Sequence, residues 1–125
     1  MAQYLDCTIR DGGYLNEWLF TEEEVLECYK SASESGYDYF EIGFFSCEKK
    51  DGPGRWRFCS GGEASWLVEQ FSGCKISAMF SASENEDIDS KKIKNINLAR
   101  VHSRIENKKN NARTHIQKKT WEWLY

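Results

Sequence analysis

The sequence predicts an α/β fold, because segments typical of strands alternate with segments typical of helices along its 125 residues. Short apolar runs rich in β-branched and aromatic residues recur, helix-start signals stand between them, and Gly and Pro separate the segments. Such alternation favours a parallel sheet covered by helices. Two architectures are compatible with it, an open doubly wound sheet and the N-terminal portion of a TIM (β/α)8 barrel. In both, functional residues collect at the C-terminal ends of the strands.

The first part of the chain contains two predicted strands with a helix between them. Residues 3–9 alternate between polar and apolar positions and form the first predicted strand. Thr21 and Glu24 fit a capping box and Gly36 fits a C-cap, so these residues delimit a helix. Residues 37–45 are a nearly continuous apolar and aromatic run, which is typical of a strand buried on both faces.

The second part continues the alternation after a long connection. Residues 46–62 are rich in glycine and predict a loop, and residues 63–71 predict a short helix. Residues 74–80 and 96–102 are the third and fourth predicted strands. Residues from 103 onward have helical composition but no clean apolar stripe, so we expect a surface helix there.

Composition bounds the class of protein. Hydrophobic residues make up 40% and charged residues 30%, which indicates one globular domain rather than a disordered chain. No apolar run approaches the roughly 20 residues of a membrane span, and no secretory signal is visible, so we expect a cytoplasmic protein. The five cysteines are widely spaced without a C-x-x-C pair, which argues against a zinc ribbon and a disulfide scaffold.

Charge is distributed unevenly along the chain. Residues 1–90 hold 7 Lys/Arg and 18 Asp/Glu, whereas residues 91–125 hold 10 Lys/Arg and 2 Asp/Glu. A basic segment of this kind can bind nucleic acid or an acidic partner, which would make the chain a non-catalytic binding module. It can equally be the solvated face of a helix.

Charged side chains stand at or near the predicted strand ends. Arg10 and Asp11 follow the first strand, and Glu41, Arg100 and His102 lie near the ends of later strands. An aspartate is a hard ligand for Mg²⁺ or Mn²⁺, and an arginine offers fixed donors to a carboxylate or an enolate oxygen. Together they suit chemistry in which negative charge grows on a carbonyl oxygen. Spacing alone favours a structural ion pair that closes a turn.

Each of Glu41, His102 and the residues around Trp56 allows two interpretations. Glu41 lies in an apolar strand, where an uncompensated carboxylate is costly, so we expect it to meet Arg10, Arg100 or a substrate hydroxyl. His102 is either a substrate or base residue or a satisfied polar group, and the second reading is preferred. Trp56, with Arg55 and Arg57 around it, can bind an anion, although a loop that packs its tryptophan on the barrel is favoured.

The segment LDCTIRDGGY, residues 5–14, resembles the D-x-T-x-R-D-G signature of the metal-dependent aldolases and lyases. This DRE-TIM metallolyase superfamily includes HMG-CoA lyase, 4-hydroxy-2-oxovalerate aldolase and the isopropylmalate and homocitrate synthases. ESGYDYFEIGFFS, GPGRWRFCS and LARVHS resemble later segments of the same family. The resemblance implies a partial HMG-CoA lyase-like domain over residues 1–105, with about four β/α units of a barrel of ~250 residues. Residues 106–125 would be a basic helical tail.

The resemblance also implies roles for single residues. Asp11 corresponds to the aspartate that binds Mn²⁺ or Mg²⁺, and Arg10 to the arginine that stabilises the enolate. Glu41 and His102 are further candidate catalytic residues. The implied substrates are 2-oxo acids or acyl-CoA thioesters, cleaved or joined at a carbon–carbon bond. The basic tail aligns with an ordinary strand and surface helix of the barrel, which makes nucleic acid an unlikely partner.

The chain departs from the family in its histidines. The family completes its metal site with an H-x-H pair on the seventh strand, whereas this chain has only two histidines, His102 and His115. The sequence therefore leaves open whether the chain catalyses the reaction alone, and a homo-oligomer that completes the barrel is conceivable. Reading residues 120–125 in a shifted frame can yield a helix end and a fifth strand, so a frameshift after about residue 119 is a hypothesis.

Overall fold

A mostly parallel sheet forms the framework of the computed structural model, which describes residues 2–48, 51–82, 89–102 and 121–122. The elements, in chain order, are β1 (Leu5–Asp6), α1 (Thr8–Asn16), α2 (Glu22–Glu34), β2 (Tyr39–Phe45), a 3-10 turn (Arg55–Arg57), β3 (Phe58–Cys59), α3 (Gly61–Gln70), β4 (Lys75–Ser81), β5 (Leu98–His102) and β6 (Trp121–Glu122). No helix in these ranges is long and apolar enough to cross a membrane.

The order of the strands decides between the two predicted architectures. The sheet runs β1-β2-β4-β5-β6, and β3 pairs with the C-terminal end of β2. The pairs β1–β2, β2–β4 and β4–β5 are parallel, so each longer strand lies beside its predecessor. A doubly wound sheet would reverse its strand order at a switch point, whereas a barrel adds strands in sequence. The fold is therefore the predicted partial α/β barrel, with its parallel sheet curled into a half-barrel.

The first strand was predicted too long. Only Leu5–Asp6 pairs with β2, and Thr8–Asn16 forms helix α1 instead of the end of a strand. The Asp6 carboxylate accepts hydrogen bonds from the Thr8 backbone N–H at 2.9 Å and from Thr8 Oγ1 at 3.2 Å. Such a local side-chain turn competes with strand pairing and turns the chain into a helix. Arg10 and Asp11 consequently lie on a helix that follows the strand.

The predicted start of α2 agrees with the structure, whereas α3 starts earlier than predicted. Thr21 Oγ1 accepts from the Glu24 N–H at 3.0 Å, and Glu24 Oε1 accepts from the Thr21 N–H at 2.9 Å, which completes the predicted capping box. A second box, which the sequence reading missed, joins Ser60 and Glu63. It starts α3 at Gly61, two residues before the predicted position, and β3 lies within the predicted loop.

One face of the sheet carries the apolar core. Side chains alternate between the two faces of a strand, so one set of positions in β2, β4 and β5 packs against the helices. Residues at helical spacing on α2 cover this face. The core formed between this face and the helices includes Val25, Tyr29, Ala32, Phe40, Ile42, Leu67, Ile76, Ala78 and Ala99. The opposite face carries polar residues, which form the candidate site.

The end of the chain is described only at two residues. Trp121–Glu122 pairs antiparallel with β5, placing Trp121 opposite Arg100. The other residues of the predicted helical tail, 106–120 and 123–125, lie outside the described ranges. The tail and the frameshift hypothesis therefore stay predictions.

Two neighbouring glycines of α1 have opposite surroundings, which allows a matched stability test. A Cβ on Gly13 would stand 2.0 Å from the Trp18 indole, whereas one on Gly12 would meet only Phe20 Cζ at 3.9 Å. We expect Gly13→Ala to lower the free energy of unfolding by about 1–3 kcal/mol through overpacking. Gly12→Ala should raise it by about 0.5–1 kcal/mol, because alanine favours the helix. Urea denaturation would measure both, and equal effects would contradict the packing of Trp18 against Gly13.

Tyr29 gives the fold a predictable dependence on alkaline pH. Its hydroxyl donates to the Cys74 carbonyl at 2.8 Å and accepts from the Gly73 N–H at 3.2 Å, and burial raises the pKa of Tyr29 to about 12. The unfolded tyrosine ionises near pH 10, so this stabilisation is complete below pH 10 and is lost as the pH rises to 12. Tyr29→Phe should flatten the fall in stability over that window. An unchanged slope would exclude this contribution.

Candidate active site

A fully buried carboxylate lies at the centre of the polar face. Glu41, in the middle of β2, has no exposed surface. Its Oε2 accepts from Arg100 Nε at 2.9 Å, and its Oε1 accepts from Arg100 Nη2 at 2.7 Å, a bidentate pair. Arg10 Nε donates to Oε1 at 3.0 Å and Ser77 Oγ to Oε2 at 3.2 Å. Glu41 thus meets both arginines that the sequence reading named for it.

These contacts leave Glu41 no free hydrogen-bonding capacity. Each carboxylate oxygen accepts two hydrogen bonds, which uses its lone pairs. The geometry therefore suits a residue that positions two guanidinium groups better than one that takes a proton from a substrate. Its predicted catalytic role stays a prediction.

The buried part of the cluster has more positive than negative charge, since Asp11, which lies 3.6 Å from Arg10, is 68% exposed. Two guanidinium groups, of Arg10 and Arg100, surround the single carboxylate of Glu41. Hydrogen bonding to Glu41 raises the pKa of Arg100 and outweighs the opposing effect of burial. Two guanidinium groups beside one buried carboxylate make this face of the sheet favourable for an anionic ligand.

Arg10 is held by one edge of its guanidinium group. Its side chain is 14% exposed, and Nε points to Glu41, while Nη1 lies 3.6 Å from Asp11 Oδ1. Its Cζ lies 5.7 Å from the centroid of the Phe44 ring. Among the described residues, its Nη2 group has no hydrogen-bond partner. Arg10 can therefore donate to a ligand without leaving Glu41.

Asp11 lies beside Arg10 and faces solvent. Its side chain is 68% exposed. No group of three or more His, Cys, Asp or Glu that could hold a metal ion occurs in the described part of the chain. One exposed carboxylate does not make a metal site, because Mg²⁺ and Mn²⁺ require several oxygen ligands or bound waters in fixed geometry. The predicted metal role of Asp11 stays a prediction.

His102 ends β5 at the same end of the sheet. Its ring meets the Phe44 ring edge-on, with centroids 6.4 Å apart and planes at 83°. Phe44 also contacts Tyr14 and Trp18 at 6.4 and 6.0 Å. Tyr14, Trp18, Phe44 and His102 thus form one aromatic cluster, and the Arg10 guanidinium lies near its Phe44 ring. The sequence predicted His102 as a candidate site residue but gave no signal for the three other rings.

An unusual turn holds the aromatic cluster in place. Glu17 and Trp18 both have a positive φ of 57°, a conformation that costs non-glycine residues free energy. The turn is fixed by hydrogen bonds from the Trp18 N–H to Asn16 Oδ1 at 3.1 Å and from Trp18 Nε1 to the Arg10 carbonyl at 3.0 Å. Gly54 donates its N–H to the Glu17 carbonyl at 2.8 Å. The segment after Gly54 is therefore anchored beside the cluster.

Comparison with known proteins supports the fold. No family model and no curated protein matches the chain. A search of solved structures finds similarity to the crystal structure of the N-terminal domain of a putative aldolase from Bacteroides vulgatus, with a TM-score of 0.65 and 23% identity. The fold is aldolase-like. The alignment covers 80% of this chain and 35% of that one, so the chain spans about a third of its structural neighbour.

The buried charge cluster can be tested by removing its carboxylate charge. Glu41→Gln removes the buried counter-charge of Arg10 and Arg100 and leaves only the exposed Asp11 beside Arg10, so we expect the free energy of unfolding to fall by about 3 kcal/mol. Glu22→Gln is the matched control, because Glu22 pairs with Arg55 on the surface and such pairs contribute about 1 kcal/mol or less. Urea denaturation of the two variants compares them. A loss for Glu41→Gln no larger than the control would show that Glu41 does not stabilise the fold.

Proposed function

We propose that this chain is part of an aldolase-type lyase that cleaves or forms carbon–carbon bonds through an enolate. The observation that carries the proposal is the placement of Arg10, fixed by the buried Glu41 while part of its guanidinium group is free to bind a ligand. The resemblance of residues 5–14 to the aldolase signature and the aldolase-like fold both support it. The proposed substrates are 2-oxo acids or acyl-CoA thioesters.

Arg10 would stabilise the charge that develops during the reaction. Breaking the carbon–carbon bond moves an electron pair toward the carbonyl and places negative charge on its oxygen. A donor that is already oriented stabilises this charge without reorganising during the reaction. Glu41 provides the orientation, because it binds Nε of Arg10 and leaves Nη2 for the substrate, while Nη1 lies beside Asp11.

Asp11 is our proposed ligand for Mn²⁺ or Mg²⁺, which would polarise the substrate carbonyl as a Lewis acid. The described residues supply this one carboxylate and no complete donor set. The remaining ligands would come from outside the described ranges, from further chain or from a second copy that completes the half-barrel. Arg10 is the residue on which the proposal can be tested directly.

Enolate formation can be measured without a complete aldol reaction. In D₂O containing Mg²⁺, the protein should catalyse the exchange of the methyl protons of pyruvate or acetyl-CoA for solvent deuterons, measured by proton NMR. Arg10→Lys should lower the exchange rate about 10²-fold or more, the usual effect of losing an oxyanion donor. Arg55→Lys is the control, because Arg55 binds Glu22 and Glu63 away from the polar face.

Two outcomes would contradict the proposal. Exchange by the wild type no faster than in buffer would show that the chain does not form an enolate from these substrates. Equal rates for the wild type and Arg10→Lys would show that Arg10 does not act on one.

A further inference from the structure

Arg57 occupies an unusual position at the C-terminal end of the sheet. It ends the 3-10 turn, directly before β3, which pairs with the C-terminal end of β2 through Phe44 and Phe58. Its Cζ lies 4.0 Å from the centroid of the Phe44 ring, 5.1 Å from that of Phe58 and 5.4 Å from that of Trp18. Three aromatic rings therefore hold the guanidinium group in place.

The charge of Arg57 is not neutralised within the described ranges. Arg10 and Arg100 bind Glu41, and Arg55 binds Glu22 and Glu63. Arg57 has no carboxylate within ion-pair distance in residues 2–48, 51–82 and 89–102, and its side chain makes no hydrogen bond there. Aromatic rings attract a cation through their faces, but they leave its N–H donors unsatisfied.

Arg55 shows that the same loop can neutralise an arginine. Its guanidinium group also lies over aromatic rings, at 4.8 Å from Trp56 and 6.0 Å from Trp66. Unlike Arg57, it binds two carboxylates at the same time. Stacking on aromatic rings and ion pairing are thus compatible in this loop. Stacking on aromatic rings therefore does not explain why Arg57 lacks a carboxylate partner among the described residues. Its position in the loop does.

Arg57 and Arg10 both lie near the ring of Phe44. The Cζ atoms of the two arginines lie 4.0 and 5.7 Å from the centroid of the same Phe44 ring. Both guanidinium groups therefore lie next to the same ring, near the C-terminal end of β2. A planar guanidinium fork binds a planar carboxylate through two parallel hydrogen bonds, and arginine remains charged at every physiological pH.

We propose that Arg57 binds the carboxylate of a 2-oxo acid substrate, with the adjacent carbonyl oxygen directed to Arg10. This inference rests on the proposed function for its substrate class, and it favours 2-oxo acids over thioesters, which lack the carboxylate. The rings of Trp18, Phe44 and Phe58 fix the Arg57 guanidinium before the ligand arrives, so little side-chain freedom is lost on binding. Arg57 is then a substrate-binding residue rather than a loop residue that only packs its tryptophan neighbour.

The test is a binding titration that does not depend on turnover. Pyruvate is added to the wild type, Arg57→Gln and Arg57→Lys, and the dissociation constants are measured from protein NMR shifts. We expect Arg57→Gln to weaken binding at least tenfold, because a hydrogen bond to a charged group is lost. Arg57→Lys should recover part of the affinity, since it retains the charge but not the fork. Arg55→Lys is the matched control and should bind pyruvate as the wild type does.

Two further ligands identify the chemistry that Arg57 recognises. Methyl pyruvate lacks the carboxylate charge, so its affinity should be the same for the wild type and Arg57→Gln. Inorganic phosphate tests the other common arginine ligand. Phosphate binding that is lost in Arg57→Gln while pyruvate binding persists would overturn the proposal and indicate a phosphate site. Equal pyruvate affinity in all folded variants, checked by circular dichroism, would also overturn it.

The outcomes separate this inference from the proposed function. Arg57-dependent pyruvate binding without proton exchange would support the carboxylate site and contradict enolate formation. Exchange that depends on Arg10 but not on Arg57 would support the lyase and exclude the carboxylate site.

Discussion

The site depends on the full burial of the Glu41 carboxylate among donors from three other elements. The carboxylate binds Arg10 from α1, Ser77 from β4 and Arg100 from β5, so a single side chain joins four parts of the fold. A carboxylate buried without such partners would be strongly destabilising. Its burial therefore restricts how α1 can pack on the sheet, and the position of α1 in turn determines where Arg10 stands.

The aromatic cluster extends this arrangement toward the C-terminal ends of the strands. Phe44 lies on β2 beyond Glu41, where the pairing with β4 is shifted, and the guanidinium groups of Arg10 and Arg57 both lie near its ring. Gly54 is anchored to the turn that contains Trp18, and no side chain fits there, because a Cβ would stand 2.0 Å from the Trp18 carbonyl oxygen. The strained turn thus acts as a support for the loop that carries Arg57.

Some residues of the site could be predicted from the sequence and others could not. Arg10 was found because it belongs to a short motif, and Glu41 because a carboxylate in an apolar strand needs a partner. Ser77 gave no signal, since a serine in a strand is common, and its role follows only from the register that places it opposite Glu41. Phe44 was predicted only as part of the apolar strand, and Trp18 gave no signal. Their part in the site comes from the loop that folds back onto them, which no local pattern indicates.

Features that rest on local interactions follow from the sequence alone. The α2 helix start follows from side chains three residues apart, and the buried β2 strand follows from a continuous apolar run. The tertiary structure decided the strand order, the helical state of the motif after Asp6, and the partner of each arginine. The contacts of Glu41 join residues 31, 36 and 59 positions apart. Ion pairing depends on distance in space, and residues far apart in the sequence can be close in the fold. Whether a charge is neutralised or left for a ligand therefore depends on the tertiary structure.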